Sequence, residues 1–234
     1  MLILALDTSS ASGSAAVARD GRVLVERAGD GTRTHGERLP RELMQVLDAA
    51  NVSLRDVDRF AVSTGPGSFT GLRVGIATMQ GLALAQRKLV SPVSSFEALA
   101  AAAHDANTDA DDPPLIAVWI DAHRGEVFAA LYGPEGRVLL EPPTSLPPHA
   151  TLDAWAAHPN RIRFAGDGAL KYADVIRATL GARAILPAAT PLLAATIATI
   201  AAEPGRAVAP HAIAPVYVRR SDAELARDRR LARG

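Results

Sequence analysis

Apolar and polar positions along this chain follow two periods, and the first belongs to strands. Residues 2–6 are a continuous apolar run that stops at Asp7-Thr8-Ser9-Ser10. Residues 14–18 form a second run, and Asp20-Gly21 is a turn signal leading into a third at 22–27. This pattern predicts an antiparallel meander with an Asp at the end of its first strand. Residues 35–51 instead follow a helical period, with Leu39, Leu43, Val46, Leu47 and Ala50 on one wide apolar face. Pro40 lacks a backbone donor, so the regular helix is expected to begin near Leu39 or Pro40. A buried strand at 59–62 then runs into the turn Gly65-Pro66-Gly67, and a long helix, capped by Ser68 or Thr70, continues to Gln86. A short strand at 89–93 and a helix from Ser94 or Ser95 to His104 complete the first half.

Residues 105–114 are polar, acidic and proline-terminated, the best candidate for a boundary. After them the opening pattern returns. An apolar run at 115–120 ends at Asp121, a strand follows at 126–132, and Glu135-Gly136-Arg137-Val138-Leu139-Leu140-Glu141 parallels Asp20-Gly21-Arg22-Val23-Leu24-Val25-Glu26. The offset is 114 at the aspartates (121 − 7) and 115 at the glycines (136 − 21), so the unit is read as duplicated with one residue inserted. A helix at 151–157, a strand at 161–165, the turn Gly166-Asp167-Gly168, a helix at 169–180, a strand at 184–186 and a helix at 191–202 follow. Residues 204–210 read as a loop and 215–218 as a last short apolar segment. The chain therefore divides into an N-terminal lobe at 1–104, a C-terminal lobe at 115–218 and an Arg-rich tail at 219–234.

The helix after the glycine turn has an unusual composition. Gly71, Gly75 and Gly81 lie inside it, each costing about 1 kcal/mol relative to Ala. Gly71 and Gly75 share a face that Thr78 extends, while Leu72, Ile76, Met79 and Leu82 make an apolar stripe. Two readings fit: a core helix pressed tightly on a sheet, or such a helix with a second one, from another subunit, lying on the small-residue face.

Composition narrows the chemistry. The 234 residues are 48% hydrophobic, with a formal net charge of zero that gives no global field to attract nucleic acid. The chain has no cysteine, which excludes disulfides, thiolate nucleophiles and zinc–cysteine sites. No apolar run is long enough to span a membrane, and Met1–Asp7 lacks a basic region and enters a strand directly, so a cytosolic globular protein is expected. The six histidines (His35, His104, His123, His149, His158 and His211) include no pair three to five residues apart, so no helical metal pair is formed. The glycine turn lacks the lysine and spacing of a P-loop, and no GxSxG elbow is present. Asp7, Thr8 and Ser9 could form the phosphate hairpin of a sugar kinase, but the DxG glycine is missing; Asp7 and Asp121 otherwise cap loops or face solvent. The pattern is an enzyme-like architecture with a thin catalytic inventory, which suggests a copy whose partner does the chemistry.

The runs ILALDTSS (3–10), the whole of 35–86 including GPGSFTGLRVG, and SPVSSFEALA (91–100) closely resemble the TsaB (YeaZ) family; WIDAHRGEVFAALY, FAGDGALKY and APVYVR extend the likeness more weakly. The resemblance implies a duplicated α/β fold of the actin/Hsp70/sugar-kinase (ASKHA) type, two lobes each with a mixed sheet flanked by helices. It further implies a non-catalytic subunit that binds the TsaD transferase, together with the ATPase TsaE, for threonylcarbamoylation of adenosine 37 in ANN-decoding tRNAs. The transferase paralogue carries an HxxxH metal pair where this chain has Ser95 and Leu99, neither able to replace an imidazole. No metal and no cofactor of its own are expected, with ATP or ADP admitted at the interface of the complex. The chain is expected to pair with itself when alone and to meet tRNA only through the complex. On this reading the partner surface comprises Leu39, Leu43, Val46 and Leu47 of the first helix and Thr70, Gly71, Leu72, Arg73, Gly75, Ile76 and Met79 of the second. A Gly75→Leu change should then block association and leave the monomer folded. The alternative is an independent small-molecule kinase or ATPase of the same fold.

Overall fold

A computed structural model describes residues 1–106 and 112–219. It contains two five-stranded sheets. The first is built from β1 (Leu2–Asp7), β2 (Ser14–Arg19), β3 (Arg22–Ala28), β4 (Arg59–Ser63) and β5 (Leu89–Val93), in the order β3-β2-β1-β4-β5. The second uses β6 (Leu115–Asp121), β7 (Val127–Tyr132), β8 (Leu139–Leu146), β9 (Ile162–Ala165) and β10 (Ala184–Ile185), in the order β10-β9-β6-β7-β8. In each sheet the first three strands form an antiparallel meander, and the last two add in parallel beside the first. The duplication expected from the repeated meander therefore extends to all five strands.

Each sheet is covered on both faces, which is why β1 and β6 are nearly unbroken apolar runs. Leu2, Leu4 and Leu6 point to the outer side of the first sheet, where α1 (His35–Ala49) and α2 (Phe69–Gln86) pack. Ile3 and Ala5 point inward to a middle layer made by α3 (Ser95–Asp105) and α7 (Ala194–Ala201). The middle layer is exchanged: α3 follows the first sheet but packs on β6 and β9, while α7 follows the second and packs across the first. The outer side of the second sheet carries α4 (Pro148–Trp155), α5 (Asp167–Lys171) and α6 (Ala173–Leu180) around Trp119, Trp155 and Phe164. The chain then returns to the first lobe, where Val208 bridges Val90 and the Val216 N–H donates to the Thr64 carbonyl at 2.8 Å.

Several boundaries differ from the sequence expectation. α1 starts at His35, with Pro40 inside it, because the Glu37 carboxylate accepts from the Thr34 N–H and hydroxyl and fixes the first turn ahead of the proline. The helix expected at 169–180 is two helices meeting at Tyr172. Residues 215–218 join no sheet but run alongside α2 and the turn before it. The tail from residue 220 onward lies outside the described residues.

The glycine helix shows the largest difference. A Cβ on Gly71 would lie 2.3 Å from the Thr8 carbonyl oxygen, and one on Gly75 would lie 2.1 Å from Thr8 Oγ1. The small-residue face is filled by the loop after β1 of the same chain, not by another subunit. The apolar stripe is likewise used internally: Leu39, Leu43, Val46, Leu47, Leu72, Ile76 and Met79 are all buried, and all but Leu72 belong to the cluster beneath the first sheet. Apart from Leu72, which also lines the cleft described below, these side chains and the two glycines, expected to supply partner area, are turned into this chain's own core. Of the eleven expected residues, Thr70 and Arg73 are exposed. The reason is that the outer face of the sheet needs cover, and the apolar stripe of each helix is what supplies it.

Gly75→Leu is accordingly expected to prevent stable folding, and Gly75→Ala to cost about 1–3 kcal/mol by overpacking, read as a lowered thermal midpoint; a Gly75→Leu protein that melts like the parent would contradict this packing. A second expectation concerns α7, whose first turn is capped from the other lobe. The Ser14 hydroxyl accepts from the Leu193 N–H at 3.2 Å and the Ala194 N–H at 3.0 Å. Ser14→Ala should cost about 0.5–2 kcal/mol in urea unfolding, the range for losing a helix cap.

Candidate functional site

The candidate vestigial phosphate loop is closed. Asp7, Thr8 and Ser9 are buried. The Asp7 carboxylate accepts from the Ser9 N–H at 2.9 Å, and Ser63 Oγ accepts from the Thr8 N–H at 3.2 Å. The Ser9 carbonyl accepts from the Ser68 N–H at 2.7 Å, which ties the loop to the start of α2. Arg38, also buried, donates to the Ala11 carbonyl at 3.0 Å and the Ser12 carbonyl at 2.6 Å while pairing with Glu42 at 2.5 Å. The loop's backbone groups are thus turned onto its own chain, while Thr8 Oγ1 is buried without a hydrogen-bond partner and α2 occupies the space above it. Around this joint, burial lowers the pKa of His35 and raises that of Glu26, whose carboxylate accepts from the Ala195 N–H.

An open cleft lies farther along, between the start of α2, the turn from β6 to β7, and residues 216–219. It measures about 630 Å³ and is walled by Phe69, Arg73, His123, Phe128, Tyr217 and Arg219 among others. The Arg73 guanidinium carbon sits 3.7 Å from the centre of the Phe69 ring, and Arg73 Nε donates to the Tyr217 hydroxyl at 2.9 Å. The Phe69 and Tyr217 rings are 5.4 Å apart. Across the cleft Arg219 donates to Glu126 at 3.1 Å and to the Ala122 carbonyl at 3.0 Å. The Glu126 pKa is lowered, chiefly by the Ser145 hydroxyl and then by Arg219. Asp121 accepts from Lys171 at 2.7 Å, a bond that raises the Lys171 pKa. Of the eleven expected interface residues, Thr70, Leu72 and Arg73 line this cleft, as do Asp121 and His123; Asp7, Thr8 and Ser9 do not. Phe69 and Tyr217 lie in the GPGSFTGLRVG and APVYVR runs, but no local pattern pairs them, since they meet only through the return of the chain past residue 208.

Two further positions bear on chemistry. Ser95 and Leu99, where the paralogue would carry histidines, are buried on α3, and Leu99 belongs to the middle apolar layer. Among the described residues, no group of three His, Cys, Asp or Glu side chains could hold a metal ion.

The remaining surface of α1 and α2 faces solvent. On α1 it includes Glu37, Pro40, Arg41, Met44 and Asp48; on α2 it includes Arg73, Ala77, Gly81 and Leu84, which share one stripe. Met44 is 50% exposed and Leu84 59% exposed, high for large apolar residues. A Cβ on Gly81 would meet nothing within 4 Å, so this glycine, unlike Gly71 and Gly75, has no internal packing reason.

The family model for tRNA N6-adenosine threonylcarbamoyltransferase (TsaD) matches residues 27–215. The tRNA threonylcarbamoyladenosine biosynthesis protein TsaB of Bacillus subtilis is 33% identical over 132 residues, and that of Escherichia coli is 36% identical over 140 residues. Each match covers 56% of this chain and 55% of the relative, so the chain spans about half the length of the curated relatives it matches. The structure of YeaZ from Pseudomonas aeruginosa superposes with a TM-score of 0.74 at 30% identity, covering 92% of this chain and 99% of that one. The activator of 2-hydroxyisocaproyl-CoA dehydratase from Clostridium difficile, at 12% identity, covering 86% of this chain and 94% of that one, and with a TM-score of 0.51, shares the fold alone. The twin sheets thus form an actin-like sugar-kinase (ASKHA) type of fold, and the chain belongs to the TsaB (YeaZ) family.

Proposed function

We propose that this chain is a non-catalytic subunit in the synthesis of threonylcarbamoyladenosine in tRNA, and that it works by binding a TsaD-type transferase, with TsaE joining the pair. The observation that carries the proposal is the solvent face of α1 and α2. There Ala77, Gly81 and Leu84 lie bare on one helix and Met44 on its neighbour, with Arg41 and Asp48 at the margin. Small residues let a facing helix come close, and Leu84 and Met44 supply apolar area. The same face, self-matched, would serve a homodimer when the transferase is absent. Burial of Ser95 and Leu99 in the core supports a role without transfer chemistry. Threonylcarbamoylation of adenosine 37 in ANN-decoding tRNAs is then the transferase's reaction, reached by this chain only through the complex, in the cytoplasm.

Gly81→Arg tests the surface without touching the core. It replaces a helix-interior glycine, so the isolated chain should be as stable as the parent or more stable by up to about 1 kcal/mol. Co-elution with TsaD and reconstituted tRNA modification should both be lost. Unchanged co-elution would remove this face from the interface. The nucleotide offers a second check: titration calorimetry of the isolated chain with ATP or ADP should give no heat of binding, with nucleotide taken up only once TsaD is present. Tight binding with turnover by the chain alone would favour the kinase or ATPase reading.

A further inference from the structure

Arg73 is held but not used up. Its flat face lies on Phe69, and its Nε donates to Tyr217. Among the described residues neither terminal nitrogen has a hydrogen-bond partner. The other charges around the cleft are committed: Arg219 to Glu126 and Ala122, and Asp121 to Lys171. An anion entering the cleft therefore meets one guanidinium whose position is already fixed and whose two outer nitrogens are unspent. Because the side chain is ordered in advance, little rotamer freedom remains to be lost on binding.

Position matters as much as chemistry. Arg73, Ala77, Gly81 and Leu84 recur at intervals of four, four and three residues, so Arg73 ends the same stripe that the partner is proposed to cover. The cleft opens beside that end. Its walls are largely apolar and aromatic, with Phe69 and Tyr217 on one side and Phe128 on the other. Phe69 and Tyr217 are 44% and 40% exposed, aromatic surface that a neighbour would remove from water.

We propose that the cleft between α2 and residues 216–219 receives a protruding segment of the partner transferase, whose carboxylate pairs in bidentate fashion with Arg73 while an adjacent apolar side chain fills the space against Phe69, Tyr217 and Phe128. The proposal rests on the partner reading given above. A carboxylate is the side-chain anion that matches two parallel guanidinium N–H groups. The chain's zero net charge leaves recognition to local pairing of this kind.

The test measures affinity of the full chain for full-length TsaD at low and high salt, with thermal midpoints as a folding control. Arg73→Gln should weaken binding by about tenfold to a hundredfold, the span for a charged hydrogen-bonded pair, and should flatten the salt dependence. Arg73→Lys keeps the charge without the fork and should fall between, retaining the salt slope. Tyr217→Phe frees the guanidinium while leaving the ring, so a smaller loss is expected, about threefold, with the salt slope intact. Parent-like affinity of Arg73→Gln would overturn the cleft proposal. If Gly81→Arg still abolished binding in that case, the helix-face reading would survive alone. If neither variant altered binding, both would fall.

Discussion

The first lobe depends on one close approach: α2 must lie against the loop that leaves β1. With Thr8 wholly buried and its carbonyl and hydroxyl directed at the helix, a Cβ at Gly71 or Gly75 fits only if Thr8 gives way. Two interior glycines weaken a helix by roughly 2 kcal/mol in propensity, and tertiary packing offsets that cost. Drawn in this far, α2 brings Leu72, Ile76 and Met79 into the buried core, the latter two beneath the first sheet, while Ser68 closes over Ser9. The same approach shuts the hairpin in which a kinase of this fold would need room for phosphate.

The second lobe repeats the device at reduced scale. A Cβ on Gly166 would lie 2.2 Å from the Trp119 carbonyl oxygen, and one on Gly168 would lie 3.0 Å from the Ile120 carbonyl carbon, so the turn after β9 presses on the end of β6 as the turn after β4 presses on the end of β1. The helix that follows, however, is only five residues long and stops before Tyr172, whereas α2 has eighteen. Duplication is thus preserved in the sheets and in the glycine joints but not in the outer helices. The first lobe has a long helical face left over; the second has short helices consumed in covering Trp119 and Phe164.

Most of this fold was legible because strands buried on both faces leave continuous apolar runs, and because the paired meanders share their turn glycines, Gly21 and Gly136, both at positive φ. The faces of the helices were harder to read. α2 is apolar or small almost all round, so its pattern cannot say which stripe meets the sheet. Gly71 and Gly75 signalled a close neighbour correctly, but that neighbour, Thr8, is more than sixty residues away and leaves no local mark. Periodicity was equally silent on the cleft, since Tyr217 reaches Arg73 across a separation of 144 residues. Pro40 misled for a different reason: proline lowers helix propensity wherever it stands, yet the Thr34–Glu37 cap is strong enough to start the helix five residues earlier.

The division between inner and outer faces also explains how a face so sparing in large side chains could hold a partner. Ordering long side chains at an interface costs free energy, and Ala77 and Gly81 have almost none of that freedom to lose. Leu84 and Met44 contribute apolar area at a moderate entropic cost, and Arg73 is already fixed by Phe69 and Tyr217. Beneath them the helices are seated on a sheet whose opposite side is packed by α7, itself capped from the first lobe by Ser14 and Glu26. The platform is therefore rigid from the middle layer outward, and a rigid surface converts more of its modest contact area into affinity than a flexible one of equal size.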